Sequence, residues 1–221
     1  MQGSITQLEL SARLGGCLAA LDGALRDAGA LTRDPVAAAT LADFAALVRS
    51  IEPRSACPLS TTEHLPVCRF LAPALTAASG SLADALRELA PSLTWAQNPN
   101  YRRRPPGPTF LDSYGYAVIA GPADGPPALV VDTRLALGVL LLGPGTHYPL
   151  HAHPAVEVYY TLTAGEWWRG GGPWQLQGPG TAIHHAPHVR HATRAGTSPL
   201  LAVYLWQGDL ATHASLTAPT S

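Results

Sequence analysis

The sequence predicts a mainly β fold with an α-helical region on its N-terminal side, and three observations lead there. Apolar residues recur about every 3.6 positions through roughly the first ninety residues, then every second position after about residue 111. The 21 glycines and 21 prolines among 221 residues exclude a wholly helical chain. A hydrophobic fraction of 47% against 13% charged supplies the core of one large domain or two small ones and excludes a disordered chain.

Ile5, Leu8, Leu14, Leu18, Leu21 and Leu25 follow helical spacing, with Gly29 as the expected stop. Asp34-Pro35 reads as an N-cap followed by proline at the first helical position. The helix it opens runs towards Ile51, with Val36, Leu41, Phe44, Leu47 and Val48 on its apolar side. Ser60-Thr61-Thr62-Glu63 has the form of a capping box for a third helix, with Pro66 as a kink. Ser81 to Leu89 makes a fourth, ended by Pro91. Residues 1–94 are therefore expected to form a helical cap or a surface for pairing two chains into a homodimer.

Residues 95–110, WAQNPNYRRRPPGPTF, read as an irregular connecting loop, too proline-rich for a helix or a central strand. Strands are expected at Tyr116 to Ala120, Ala128 to Asp132, Leu135 to Leu142, Val156 to Leu162, Gly165 to Arg169, Thr181 to His184 and Leu200 to Trp206. Gly121-Pro122, Gly143-Pro144 and Gly178-Pro179 are turns between them. Residues 111–212 thus read as a β-sandwich or barrel. The Thr, Ala and Ser residues from Ala211 read as a fraying end, with 213–221 a flexible tail.

Composition removes several functions. A formal net charge of −1 leaves no basic surplus for a nucleic-acid partner. All fourteen basic residues are arginine, so Schiff-base, pyridoxal-phosphate and P-loop chemistry, which need a lysine, are excluded. Cys17, Cys57 and Cys68 make no disulfide framework, and a reduced, cytoplasmic setting is expected. No signal peptide is visible, and the longest apolar stretch, Ala136 to Leu142, is far short of the roughly 20 residues that span a bilayer.

Histidine is the informative residue. Eight of nine lie at or after His147, where the only acids are Glu157, Glu166 and Asp209. His151, His153 and Glu157 share odd parity, so one extended strand would point all three to one side. Two imidazoles and a carboxylate leave the open positions that a catalytic divalent metal needs. A further ligand would come from a distant strand, with His184, His185, His188 and His191 as candidates. Such a set suits Fe(II), Zn(II), Mn(II), Co(II) or Ni(II) alike.

Gly145, then five residues, then His151-x-His153-x-x-x-Glu157 resembles the first motif of the cupin superfamily, with Gly165 closing it one residue later than usual. Pro179-Gly180 resembles the turn of the second motif, which makes His191 the expected last ligand. The resemblance implies a cupin double-stranded β-helix barrel, jelly-roll-like, with the metal inside. More narrowly, HYPLHAHPAVEVYYTL, PGTAIHHAPHVRHATR and PLLAVYLWQGDL, with the helical extension and the NPNY approach, resemble the cupin-type dimethylsulfoniopropionate lyases. That family's members hold the substrate carboxylate on a divalent metal while a tyrosinate removes the α-proton, releasing dimethyl sulfide and acrylate.

Tyr159 has the parity of Glu157 and is the expected base; Tyr160 should face the other way. A phenol with a pKa of about 10 is a poor base at neutral pH unless a nearby cation lowers it. The resemblance places Tyr148 at the pocket mouth, touching substrate and assisting or competing as base. Trp206 offers an indole face to a sulfonium cation. Tyr101 sits in a loop that would cover the site, beside a solvated Arg102–Arg104 run, and only one of Trp167 and Trp168 can enter the pocket. The expected activity is a metal-dependent lyase acting on a small cationic carboxylate. The competing readings are a cupin oxygenase or isomerase for another small molecule, and a non-catalytic metal-cupin.

Overall fold

Thr6 starts the first helix by exchange: its hydroxyl accepts from the Glu9 N–H, and the Glu9 carboxylate accepts from the Thr6 N–H. This is a computed structural model, and it describes residues 5–58 and 64–217. Helix α1 spans Gln7–Leu31 and buries Leu10, Leu14, Leu18, Leu21 and Leu25. Leu8, counted above on the apolar side, is 80% exposed, because it lies one residue off that stripe. Gly29 does not stop the helix, which runs on to Leu31 and the extended Thr32. A Cβ at Gly29 would sit 3.7 Å from that of Leu41, so the glycine serves close helix packing.

Helix α2, Pro35–Arg49, is capped as expected by Asp34, which accepts from the Val36 and Ala37 N–H groups. Val36 is exposed in the first turn. The Ser60–Glu63 sequence lies outside the described residues. Pro66 begins a short 3₁₀ turn, Pro66–Phe70, rather than kinking a helix, and α3, Leu71–Ala77, follows it. Helix α4 is Ser81–Leu89.

The proline-rich approach is more ordered than its composition suggests. Strand β1, Trp95–Ala96, pairs with the following strand, and Asn98 caps a five-residue helix α5, Pro99–Arg103. Pro99 occupies the first helical position, where a missing N–H costs nothing. The strands then run β2 Tyr114–Gly121, β3 Ala128–Val131, β4 Ala136–Leu142, β5 His147–Ala152, β6 Val156–Thr161, β7 Gly165–Arg169, β8 Gln175–Gln177, β9 Ala182–His185, β10 His191–Arg194, β11 Leu200–Gln207 and β12 Ser215–Leu216.

Two mainly antiparallel sheets face each other in a cupin barrel. One follows the order β1-β2-β4-β11-β6-β9, with β3 parallel to β2; the other follows β12-β5-β10-β7-β8. The helices pack on the outside of the first sheet, which is therefore buried on both faces and reads as continuous apolar sequence. Along β11, Leu201, Val203 and Leu205 face the helices, and Ala202, Tyr204 and Trp206 face the barrel interior. The chain beyond Ala211 docks instead of fraying at once: Ala214 is buried, its carbonyl accepts from Asn98, and β12 pairs with β5. No described helix is long and apolar enough to cross a membrane.

Candidate metal and substrate site

Strand register builds the site from two facing rows. In the first sheet Glu157 of β6 lies opposite His185 of β9 on one side and Trp206 of β11 on the other. In the second sheet His191 of β10 lies opposite His151 of β5. Residues paired across antiparallel strands point to the same face, so both rows enter the barrel. His153 sits in the tight turn between β5 and β6 and reaches the same point. The expectation of one strand carrying His151, His153 and Glu157 is therefore corrected: β5 ends at Ala152 and β6 begins at Val156.

The centre is the Oε2 atom of Glu157. It lies 3.1 Å from His153 Nε2, 3.2 Å from His191 Nε2 and 3.2 Å from His185 Nδ1. The other oxygen, Oε1, accepts from the Trp206 indole N–H at 2.5 Å. Glu157, His151, His185 and His191 are all at most 1% exposed. Donor atoms of His153, Glu157 and His191 all fall within 4.8 Å of one another. His151 stands outside that group. Its ring stacks on Tyr148 at 4.0 Å and meets the His191 ring at 4.1 Å, while His185, a lower-ranked candidate in the sequence, reaches Glu157.

The imidazole tautomers follow from their partners. The Nδ1 atoms of His151, His153 and His191 lie 2.8, 3.0 and 2.9 Å from the carbonyls of Pro149, Ala155 and Val189. A carbonyl only accepts, so each Nδ1 carries the proton, and the Nε2 of the neutral tautomer is a bare lone pair turned to the site. Two such lone pairs then face a carboxylate oxygen at little over 3 Å, which is repulsive unless a cation lies among them. His191 Nε2 and His185 Nε2 have no hydrogen-bond partner although buried. Backbone carbonyls fixing the remote nitrogen are the usual support of metal-bound histidine. The residues fit a divalent transition metal.

Burial lowers His151 strongly and takes His185 down to about 3, so both are neutral near pH 7.

A cavity of about 510 Å³ opens beside this centre. Tyr114, Tyr116, Tyr148, Tyr159, Tyr204 and Trp206 form its aromatic wall. Its carboxylates are Glu157, Asp124 and Asp209, and among the described residues no arginine lines it. Tyr159 is buried against Trp167, with Glu157 two residues before it on β6. Burial first, then the Glu157 charge and hydrogen bond, push its hydroxyl well above the ordinary tyrosine range. Tyr160 faces outward, packed on the helix-side core. Of the two neighbouring tryptophans, Trp167 faces inward.

Tyr148 lines the cavity three residues before His151, on the same side. The pairing of β5 with β10 slips between His191 and Thr193, so ordinary alternation fails across Pro149. Its hydroxyl donates to Tyr101 at 3.2 Å. Tyr101, expected as a covering loop residue, is instead 1% exposed in α5 and does not line the cavity. It backs Tyr148, because the capped α5 turn draws it inside. Trp206 lines the cavity but spends one ring face on His153, stacked at 4.0 Å. Tyr116 and Tyr204 were not singled out from sequence, although Tyr204 shares the parity of Trp206 and could have been.

A family model described as dimethylsulfoniopropionate lyase matches residues 40–202. The dimethylsulfoniopropionate lyase DddQ of Ruegeria pomeroyi is 32% identical over 183 residues, 81% of this chain and 86% of that protein. The putative dimethylsulfoniopropionate lyase DddL of Cereibacter sphaeroides is 33% identical over 129 residues, 58% of this chain and 51% of that protein. The crystal structure of the Ruegeria pomeroyi DddQ matches with a TM-score of 0.64 at 28% identity, covering 85% of this chain and 99% of that one. A structure from the set of dimethylsulfoniopropionate lyases RdDddP and RnDddQII matches the fold with a TM-score of 0.66 at 24% identity, over 93% of this chain and all of that one.

Proposed function

This chain belongs to the dimethylsulfoniopropionate lyase family, and from that premise we propose that it is a metal-dependent carbon–sulfur lyase converting dimethylsulfoniopropionate to acrylate and dimethyl sulfide. The observation that carries the metal dependence is the pair of bare Nε2 atoms, on His153 and His191, converging on Glu157 at one end of the cavity. A divalent metal would be held by His153, Glu157 and His191 and would supply positive charge for the substrate carboxylate and for the ionised form of Tyr159. His151 and His185 stand beside these ligands as neutral neighbours.

The protein's own groups then divide the work. Among the described residues that line the cavity there is no arginine to clamp the substrate carboxylate, which favours its binding at the metal-ligand histidines. The Tyr159 phenolate oxygen takes the α-proton. The electron pair left on the α-carbon forms the new C=C bond as the β-carbon–sulfur bond breaks. Dimethyl sulfide departs with the former bonding pair and without charge. Trp206 holds Glu157 through its indole N–H and keeps the carboxylate turned to the histidines. Tyr148, whose proton is engaged by Tyr101, shapes the wall and is the rival base. Base catalysis of this type contributes about 10²–10⁴ in rate.

Metal-reconstituted protein incubated with dimethylsulfoniopropionate should release dimethyl sulfide into the headspace, and chelated protein should not. Release undiminished by full metal removal would refute the metal role. No release from protein with a verified metal content would refute the lyase reading.

A further inference from the structure

Beside the metal ligands the cavity has an aromatic wall on β2, β4 and β11, where Tyr204 lies across from Tyr159 in the β11–β6 ladder. Tyr204 lies opposite Gly138 in the β11–β4 ladder, and Tyr116 lies opposite Leu140 in the β4–β2 ladder. The Tyr204 ring leans across β4 into the space a side chain at 138 would occupy. A Cβ there would stand 2.5 Å from the Tyr204 hydroxyl and 2.6 Å from the ring. Gly138 thus lets the ring lie over the sheet instead of standing up into the cavity. Tyr116 meets it at right angles, with centroids 6.2 Å apart and an interplanar angle of 80°. Both rings line the cavity.

Two aromatic faces at a right angle are two sides of a box, and a ring face attracts a cation that has lost its water. The charges nearby agree in sign. The cavity's charged wall groups are the carboxylates of Asp124, Asp209 and Glu157, with no arginine among the described residues that line it. Asp209 is held ionised by hydrogen bonds from Thr212 and Ala211, which lower its carboxyl. Trp206, the residue expected to meet the cation, already gives one face to His153 and its N–H to Glu157. Tyr116 and Tyr204 line the cavity, and neither is stacked face to face on another ring.

We propose that Tyr116 and Tyr204 form an onium-binding subsite, specific for a methylated sulfonium or quaternary ammonium group, on the cavity wall next to Trp206. In choosing the cationic half of the substrate it rests on the lyase reading, but binding there needs no metal and no turnover.

The test is binding to metal-free protein, followed by calorimetry or intrinsic fluorescence. The probes are choline and its uncharged isostere 3,3-dimethyl-1-butanol. Choline should bind about tenfold or more tightly than the isostere. Tyr204→Leu and Tyr116→Leu should each erase most of that preference, and Tyr204→Phe, which keeps the ring, should retain it. Glu157→Gln, which removes a charge but no ring, should weaken the preference less than either leucine change. Either leucine variant alone decides the matter if the other fails to fold. Equal binding of the two probes, or a preference that survives both leucine changes, overturns the proposal. So does a preference lost in Glu157→Gln alone, which would move the cation to the metal ligands. A clear choline preference in protein that never releases dimethyl sulfide would sink the lyase reading and leave this subsite standing.

Discussion

The two faces of strand β11 lie in different chemistries. Leu201, Val203 and Leu205 enter an apolar core shared with the helices. Ala202, Tyr204 and Trp206 enter the barrel, among tyrosines and buried histidines. The apolar face is stabilised by area removed from water, a non-directional effect that tolerates substitutions of similar volume. The barrel face depends on named atoms meeting named atoms, such as Trp206 Nε1 on Glu157 Oε1. One strand therefore separates what holds the protein up from what the protein does, and each face can be damaged without the other.

The largest break should come on the barrel side. Glu157→Ala and His153→Ala should each abolish bound divalent metal and reduce turnover to background, because an incomplete ligand set holds metal poorly. Elemental analysis checks this, and full occupancy in both variants would show that the centre lies elsewhere. Acid should act in the same direction. Metal ligands must be unprotonated, so protons compete with the metal, and occupancy should fall as the solution is acidified.

Next is Tyr159→Phe. It keeps the ring against Trp167 and should leave metal content and melting temperature nearly unchanged. A fall of about 10²–10⁴ in kcat, with KM little altered, is expected from losing the base. Tyr160→Phe, on the helix side, should be almost silent in the same assay. A larger loss at Tyr148→Phe than at Tyr159→Phe would transfer the proton to Tyr148.

On the apolar side the signature should invert. Leu205 is fully buried, and Leu205→Ala should cost about 2–5 kcal/mol of stability by leaving a cavity. Chemical denaturation reads that loss, while kcat per folded, metal-loaded molecule should stay close to normal. A large drop in kcat at ambient temperature would mean that the two faces are coupled.

The smallest effect is expected from thiol alkylation. Cys57 is exposed and should react, while Cys17 is buried, with its thiol pushed up to about 12. Turnover should survive, since neither residue lines the cavity.

These faces differ also in how well the sequence announces them. The helix-side core is periodic, and alternation placed Tyr159 inward and Tyr160 outward on β6. The barrel, and its cupin form, was legible through the spacing of His151, His153, Glu157 and His191. What alternation could not supply was the irregular geometry. Pro149 and the register slip bring Tyr148 and His151 to one side despite their odd separation. The turn at 153–155 detaches His153 from the strand of His151, so three residues of one parity do not become three equal ligands. His185 and His191 come from different sheets, and periodicity along a chain does not say how two sheets face. Within residues 95–110 Pro99 reads as a breaker, yet Asn98 caps the turn that Pro99 begins.

Strand β12 gives the barrel a temporal dimension. It supplies the outer partner of β5, with Ser215 against Ala152 and Leu216 against His151. During synthesis β5 leaves the ribosome well before β12 exists. Until then one edge of the histidine-bearing sheet is open, and the Asn98 side chain lacks the Ala214 carbonyl that accepts from it. The helices and the first sheet, by contrast, can consolidate their shared apolar face without β12. The nascent molecule should therefore mature in two stages, a scaffold first and a closed second sheet later. A fusion tag crowding this last strand would weigh on the second stage.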